Sequence, residues 1–110
     1  MANQSANEAR FSENREQSQR SSTPDREPLL AIVATIVARH RLPFSSVYEA
    51  LNLFAGVAHA REMTRTEVAL ATDFGKRILA GTTTPEDFAT IERNRARLGQ
   101  STTQLMLIGF

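Results

Sequence analysis

The pattern of hydrophobic and polar positions divides this chain near Pro28. Before it, residues 1–22 contain 11 Asn, Gln or Ser residues, and Phe11 is their only large apolar residue apart from the first methionine. Beyond it, apolar residues recur at the three- and four-residue spacing that is typical of helices. A segment as polar as the first cannot bury enough apolar surface to offset the entropy of ordering it. We therefore predict a disordered polar arm over residues 1–23 and one all-α domain over residues 24–110.

Two helices are predicted in the first half of this domain. The first spans residues 25–40, and its apolar stripe is so wide that it should lie at the centre of the core or at an interface. The second spans residues 46–59, where Ser46 and Glu49 have the spacing of a capping box. Gly56 falls inside this predicted helix, where it either weakens the helix or permits close packing against a neighbour.

Two further helices are predicted in the second half. The third has the most clearly specified start, because Thr64 and Glu67 form a capping box, and Gly81 can supply its left-handed C-cap. Helices two and three could instead be continuous, since no strong helix breaker separates them, but two helices are favoured. The fourth is expected to begin at Pro85 and to end at Gly99, which are favoured residues for those positions.

The apolar seams of these helices predict the core of a small four-helix, bundle-like domain. Its expected members are Leu29, Leu30, Ile32, Val33, Ile36, Val37, Val47, Leu51, Phe54, Ala71, Phe74, Ile78, Phe88, Ile91 and Leu98.

The last residues of the chain form an apolar end that would favour aggregation if it were exposed. Residues 101–110 form either a short fifth helix or an extended segment, and they dock either on the body of the domain or on a partner. The candidate partner-binding residues are Leu105, Met106, Leu107, Ile108 and Phe110.

Composition argues against an enzyme. The chain has no Cys, and its two His residues lie 19 positions apart without a ligand pattern around them, so disulfides, thiol nucleophiles and metal sites are not expected. No glycine-rich phosphate loop and no serine nucleophile motif is present. Asp73-Phe74-Gly75 matches a kinase tripeptide by coincidence, and Gly75 is interpreted as a weak spot in helix three. We expect no cofactor and no small-molecule substrate.

Localisation is predicted from two negative signals. The N-terminus is too polar for a secretory signal peptide. The longest apolar run, Leu29 to Ala38, is far shorter than the ~20 residues that span a bilayer. A cytoplasmic protein without a membrane span is therefore expected, and a bacterial one is favoured. Export of the arm through a secretion machine is the alternative, because bacterial type III secretion signals are similarly polar.

Two hypotheses for function follow. The first is a non-enzymatic protein–protein interaction module (an adaptor, a regulator or a secretion or assembly subunit) that also self-associates. The second is a small helix-turn-helix DNA-binding regulator, because residues 37–53 form a helix, a break and a helix. Residues 46–51 resemble recognition helices of small bacterial repressors. The usual turn glycine is missing, however, and the net charge of +1 is low for a strong DNA binder. The candidate DNA-binding residues are Arg39, Arg41, Ser45, Ser46 and Tyr48.

Overall fold

The computed structural model describes the backbone of residues 19–109 and the side chains of residues 19–99. Within that part of the chain the structure is helical and contains no strand, so the prediction of an all-α domain is confirmed. Two short 3-10 turns, Pro24–Arg26 and Ala60–Glu62, accompany the α-helices. The α-helices are α1 (Glu27–His40), α2 (Phe44–Ala55), α3 (Arg65–Ala80) and α4 (Pro85–Gly109).

Helices α1 and α3 lie side by side and run in the same direction. At one end the Arg65 Nε atom, at the start of α3, donates to Asp25 Oδ2 before α1 at 3.1 Å. At the other end Arg39, near the end of α1, donates to the carbonyl of Leu79 at 3.4 Å. Helix α2 packs on both of them, and α4 packs on α2. The core therefore lies between α1, α2 and α3, with α4 on the outer side of α2.

The bounds of α2 differ from the predicted residues 46–59. The helix begins at Phe44, its N-cap residue is Pro43, and no side chain caps its start, so the predicted capping box of Ser46 and Glu49 is not formed. It ends at Ala55 because Gly56 adopts φ +86°, the left-handed conformation that a glycine adopts without strain. Gly56 is therefore the C-cap of α2 rather than an interior residue, and the prediction of two separate helices is confirmed.

Helix α3 begins and ends as predicted. Thr64 accepts a hydrogen bond from the backbone of Glu67, the Glu67 side chain accepts one from the backbone of Thr64, and Gly81 closes the helix at φ +71°. Helix α4 begins at Pro85 as predicted but does not end at Gly99. It continues to Gly109, so the backbone of residues 101–109 is neither a separate fifth helix nor an extended segment.

Most of the predicted core is buried or packed against buried residues. Two predictions were wrong: Leu30 is 51% exposed and Phe88 is 53% exposed, because each lies on the outer side of its helix stripe. Leu53, Met63 and Val68 are buried but were not predicted as core residues. Met63 lies outside the α-helices, where helical periodicity gives no signal for burial.

Residues 19–22, which were assigned to the arm, contact the helical domain. The backbone N–H and the Oγ of Ser21 both donate to the carbonyl of Met63, at 2.8 and 2.9 Å, and Ser21 is buried. Arg20 pairs with Thr64 in an isolated antiparallel bridge. Arg26 donates to the carbonyl of Ser21 at 2.6 Å. These residues thus lie against the helical domain, and the prediction for residues 1–18 lies outside the described residues.

Candidate functional site

The candidate site is a cavity between α2, α4 and the loop that follows Gly56. Its volume of about 430 Å³ is within the range of small-ligand sites in proteins. Polar and apolar side chains both contribute to its wall. The described residues that line it are Ser45, Tyr48, Glu49, Asn52, Leu53, Val57, Ala58, His59, Arg95, Leu98 and Gly99.

The cavity exists because α4 is attached to the C-terminal end of α2. The last carbonyls of a helix have no partner within the helix and need other donors. Asn94 of α4 donates to the carbonyl of Leu53 at 2.7 Å, and Arg97 donates to the carbonyl of Gly56 at 2.9 Å. A side chain at Gly56 would contact the Arg97 guanidinium at 2.9 Å, so the glycine also permits this approach. These contacts fix one wall of the cavity against the other.

Asn52 is the buried polar residue of the cavity wall. It is 8% exposed, and its Nδ2 donates to the carbonyl of Ala58 at 3.4 Å, across the loop that follows α2. Its Oδ1 is buried without a hydrogen-bond partner. An unpaired buried acceptor costs about 1–3 kcal/mol of folding free energy. Native structures contain few such groups, and each calls for a reason.

The ionisable side chains of the cavity differ in their surroundings. Burial raises the pKa of the Tyr48 hydroxyl above its usual value, which keeps Tyr48 neutral. Glu49 is exposed and makes no ion pair with a described residue. Arg95 donates to Glu92, one turn earlier on α4, so its charge is already partnered. Asn52 Oδ1 and the Glu49 carboxylate are therefore acceptors of the cavity wall without a described partner.

The residues predicted for DNA binding lie on α1, in the turn after it and on α2. Ser45 and Tyr48 line the cavity, and Ser46 is exposed beside them. Arg39 is bound to the end of α3, and Arg41 is the residue that follows α1. Arg39 thus lies on α1, Arg41 lies in the turn that follows it, and Ser45, Ser46 and Tyr48 lie on α2.

A DNA-binding surface that combined Arg65 with Arg39 would need the two side chains to lie close together, and the structure keeps them apart. Arg65 begins α3, whereas Arg39 contacts Leu79 at the end of the same helix. The fourteen-residue interval from Arg65 to Leu79 corresponds to about 21 Å along α3, at ~1.5 Å of rise per residue. Arg65 is also paired with Asp25. Arg65 and Arg39 therefore lie at opposite ends of α3.

The predicted partner-binding residues lie at the end of α4. Residues 105–109 belong to the helix, and their side chains, with all of Phe110, lie outside the described residues. The segment begins six residues after Gly99, the last residue whose surroundings are described.

Sequence reasoning missed Asn52 as a site residue, although a signal was present. Asn has low helix propensity because its side chain competes for backbone hydrogen bonds. In α2 it lies between Leu51 and Leu53, both buried, three residues before the helix ends at Ala55. A polar residue between two buried leucines indicates a specific polar contact, and here that contact is the carbonyl of Ala58, beyond the end of the helix.

Membrane-spanning helices and metal clusters were considered over the part of the chain that the structure describes. No helix there is both long and apolar enough to cross a bilayer. No group of three or more His, Asp or Glu side chains there is placed to hold a metal ion. The chain matches no protein-family model, no curated protein and no solved structure.

Proposed function

We propose that this chain is a non-enzymatic, bundle-like helical module that acts by binding another protein, including a second copy of itself. The observation that carries this proposal is the continuation of α4 to Gly109. The helix extends about 15 Å beyond Gly99 at ~1.5 Å per residue. This extension contains the apolar segment 105–108 on a regular helical backbone, which is the form in which helices bind grooves and other helices.

The spacing of apolar residues along α4 supports self-association. Leu105 follows Ile91 and Leu98 at intervals of seven residues, the spacing that keeps one side of a helix in contact with a partner helix. Ile91 is buried, and Leu98 packs against the core. An apolar seam that begins within the domain thus continues in sequence into the extension.

The test compares the mass of the chain in solution with and without the apolar end. Sedimentation equilibrium of the full chain is expected to give at least a dimer at micromolar concentration. Deletion of residues 105–110, or the double substitution Leu105→Asp with Ile108→Asp, is expected to give a monomer, and the double substitution should keep the helical content of the full chain. Thr102→Asp with Thr103→Asp adds the same charge to the same part of α4 and should leave the mass unchanged.

Two results would contradict the proposal. A full chain that sediments as a monomer at every concentration would remove self-association. A deletion variant that keeps both its mass and its thermal stability would show that the apolar end binds nothing.

The second candidate function is DNA binding, and one observation favours it. Three residues connect α1 to α2, and the first of them, Arg41, adopts φ 53°, the left-handed conformation. Helix-turn-helix modules connect their helices by turns of this length and often place a glycine there. The turn therefore has a suitable length and a left-handed residue, although it lacks the glycine.

The substitution Arg41→Gly separates the charge of this residue from its conformation. Glycine adopts the left-handed conformation without the cost of a side chain, so the fold should be kept or stabilised. If the turn binds DNA, fluorescence anisotropy with labelled random-sequence duplex should show weaker binding and a shallower dependence on salt, because one phosphate contact is lost. Arg93→Gln on α4 is the control. No binding by the unmodified chain at low salt would exclude this function.

A further inference from the structure

We propose that the cavity between α2 and α4 binds a small molecule that carries an amino or guanidino group on a short apolar stem. The described lining of this site does not include the apolar segment 105–108, on which the proposed protein binding rests. The argument uses the unpaired acceptor in the wall, the balance of charge around it, and the apolar part of the lining.

The unpaired acceptor comes first. Asn52 Oδ1 is buried in the wall without a partner, while the Nδ2 of the same amide is occupied by the carbonyl of Ala58. This oxygen has almost no accessible surface, so a ligand reaches it only if the Asn52 side chain turns towards the cavity, and the group that then satisfies it must donate a hydrogen bond. Ammonium and guanidinium groups only donate, whereas carboxylates and phosphates at neutral pH mainly accept.

The charges around the cavity favour the same ligand. Glu49 lies three residues before Asn52 on α2, lines the cavity, and makes no ion pair with a described residue. Arg95, the arginine of the lining, is engaged by Glu92 on its own helix. The ring of Tyr48 adds an aromatic surface that attracts cations. An anionic ligand would have to displace Glu92 from Arg95 and to approach Glu49.

The remaining wall is apolar. Leu53 and Leu98 come from α2 and α4, and Val57 and Ala58 come from the loop between α2 and the second 3-10 turn. Side chains of this kind gain free energy by excluding water from an aliphatic stem. A cavity of about 430 Å³ has room for a ligand of several carbon atoms.

The test is a titration of the full chain followed by backbone amide NMR shifts. The probes are n-butylammonium and agmatine, with butyrate as the anion of matched size. Both cations are expected to shift the amides of α2, the loop 57–59 and the facing part of α4 to saturation. Butyrate is expected to cause no saturable shift at this site.

Variants identify the groups that bind. Glu49→Gln keeps the shape of an exposed side chain and should weaken n-butylammonium binding by about tenfold. Asn52→Leu should abolish it, with unfolding measured alongside because this residue is buried. Glu86→Gln removes an exposed carboxylate from α4 outside the lining and should leave the affinity unchanged.

The proposal would be overturned by any of three results. The first is a saturable response to butyrate equal to that of the cations. The second is the absence of saturation with both cations. The third is an affinity that Glu49→Gln leaves unchanged; this variant alters an exposed residue, so its result does not depend on how well Asn52→Leu folds.

Discussion

Asp87 joins the start of α4 to the end of α3. Its carboxylate accepts two hydrogen bonds from the Arg77 guanidinium, at 3.1 and 2.8 Å, and one from the backbone of Thr84 at 3.0 Å. The same guanidinium lies over the rings of Phe54 and Phe74, at 5.5 and 5.8 Å from their centres. The hydrogen bonds from Arg77, with the contacts to Thr84, lower the pKa of Asp87. Ionised Asp87 is thus stabilised by the fold.

We predict that Asp87→Asn lowers the free energy of unfolding at pH 7 by about 1–2 kcal/mol, since it weakens a helix cap and an ion pair together. Because the pKa of Asp87 is lower in the folded chain than its ordinary value of 3.8, its contribution is complete above that pH. It is lost as the pH falls through the folded pKa. Urea unfolding from pH 7 to pH 2 should therefore show the difference between variant and unmodified chain shrinking below pH 4.

Glu86→Gln is the control for this prediction. The ion pair of Glu86 with Arg93 also lies in the first part of α4, but both side chains are exposed. Its loss should change the free energy of unfolding by less than about 0.5 kcal/mol. A difference for Asp87→Asn that stays constant over the whole pH range would show that the ionised carboxylate does not carry the effect.

The approach of α1 to α3 depends on a glycine in the middle of α3. A Cβ atom at Gly75 would lie 3.0 Å from both Cγ atoms of Ile32 and 3.5 Å from Leu51. Gly75 is buried, and it was interpreted from the sequence as a weak spot in its helix. Its position against Ile32 shows that the low helix propensity is offset by close packing. Beyond its own helix backbone, Gly99 in α4 has no described atom within 4 Å of such a Cβ.

These two glycines give a matched pair of substitutions. Gly99→Ala should raise the free energy of unfolding by about 0.5–1 kcal/mol, because alanine is the better helix former and the added methyl group meets nothing. Gly75→Ala should lose this gain and be destabilising overall, since overpacking a core costs about 1–3 kcal/mol. Thermal and urea unfolding measure both. An equal gain from the two substitutions would mean that α1 and α3 are not in close contact.

Elements were predictable from the sequence where their ends are set by neighbouring residues. The reciprocal hydrogen bonds of Thr64 and Glu67 join residues three apart, so the start of α3 could be inferred without knowledge of the fold. The end of α2 at Gly56 is also held by Asn94 and Arg97 of α4, about 40 residues away. Helical periodicity cannot identify such partners.

Helical periodicity also could not predict which apolar side chains are exposed or where the candidate site forms. Leu30 and Phe88 fall on apolar stripes, and periodicity alone does not tell the side of a stripe that faces the core from the side that faces solvent. The cavity requires α2, the loop after it and α4 to meet, and no local pattern predicts that meeting. Asn52, a polar residue between two leucines, was a feature of the site that the sequence displayed.

At the scale of the whole molecule, Gln19, Arg20 and Ser21 contact the residues at the start of α3. The backbone N–H of Arg65 donates to the carbonyl of Gln19 at 3.3 Å, and the backbone N–H and the Oγ of Ser21 both donate to Met63. Met63 is fully buried, so its carbonyl has few other donors within reach. A change from polar to apolar composition therefore marks the domain edge less accurately than hydrogen bonding of the backbone does.

Two truncations test this edge. A chain that begins at Gln19 keeps these contacts, and we expect the same unfolding temperature as for the full chain. A chain that begins at Thr23 loses the hydrogen bonds of Ser21, which at ~1 kcal/mol each amount to about 2 kcal/mol of unfolding free energy. For a domain of this size that corresponds to a fall of roughly 10 °C in Tm. Ser21→Ala in the full chain, which removes only the Oγ contact, should give an intermediate value. Equal unfolding temperatures for the two truncations would mean that residues 19–22 belong to the arm after all.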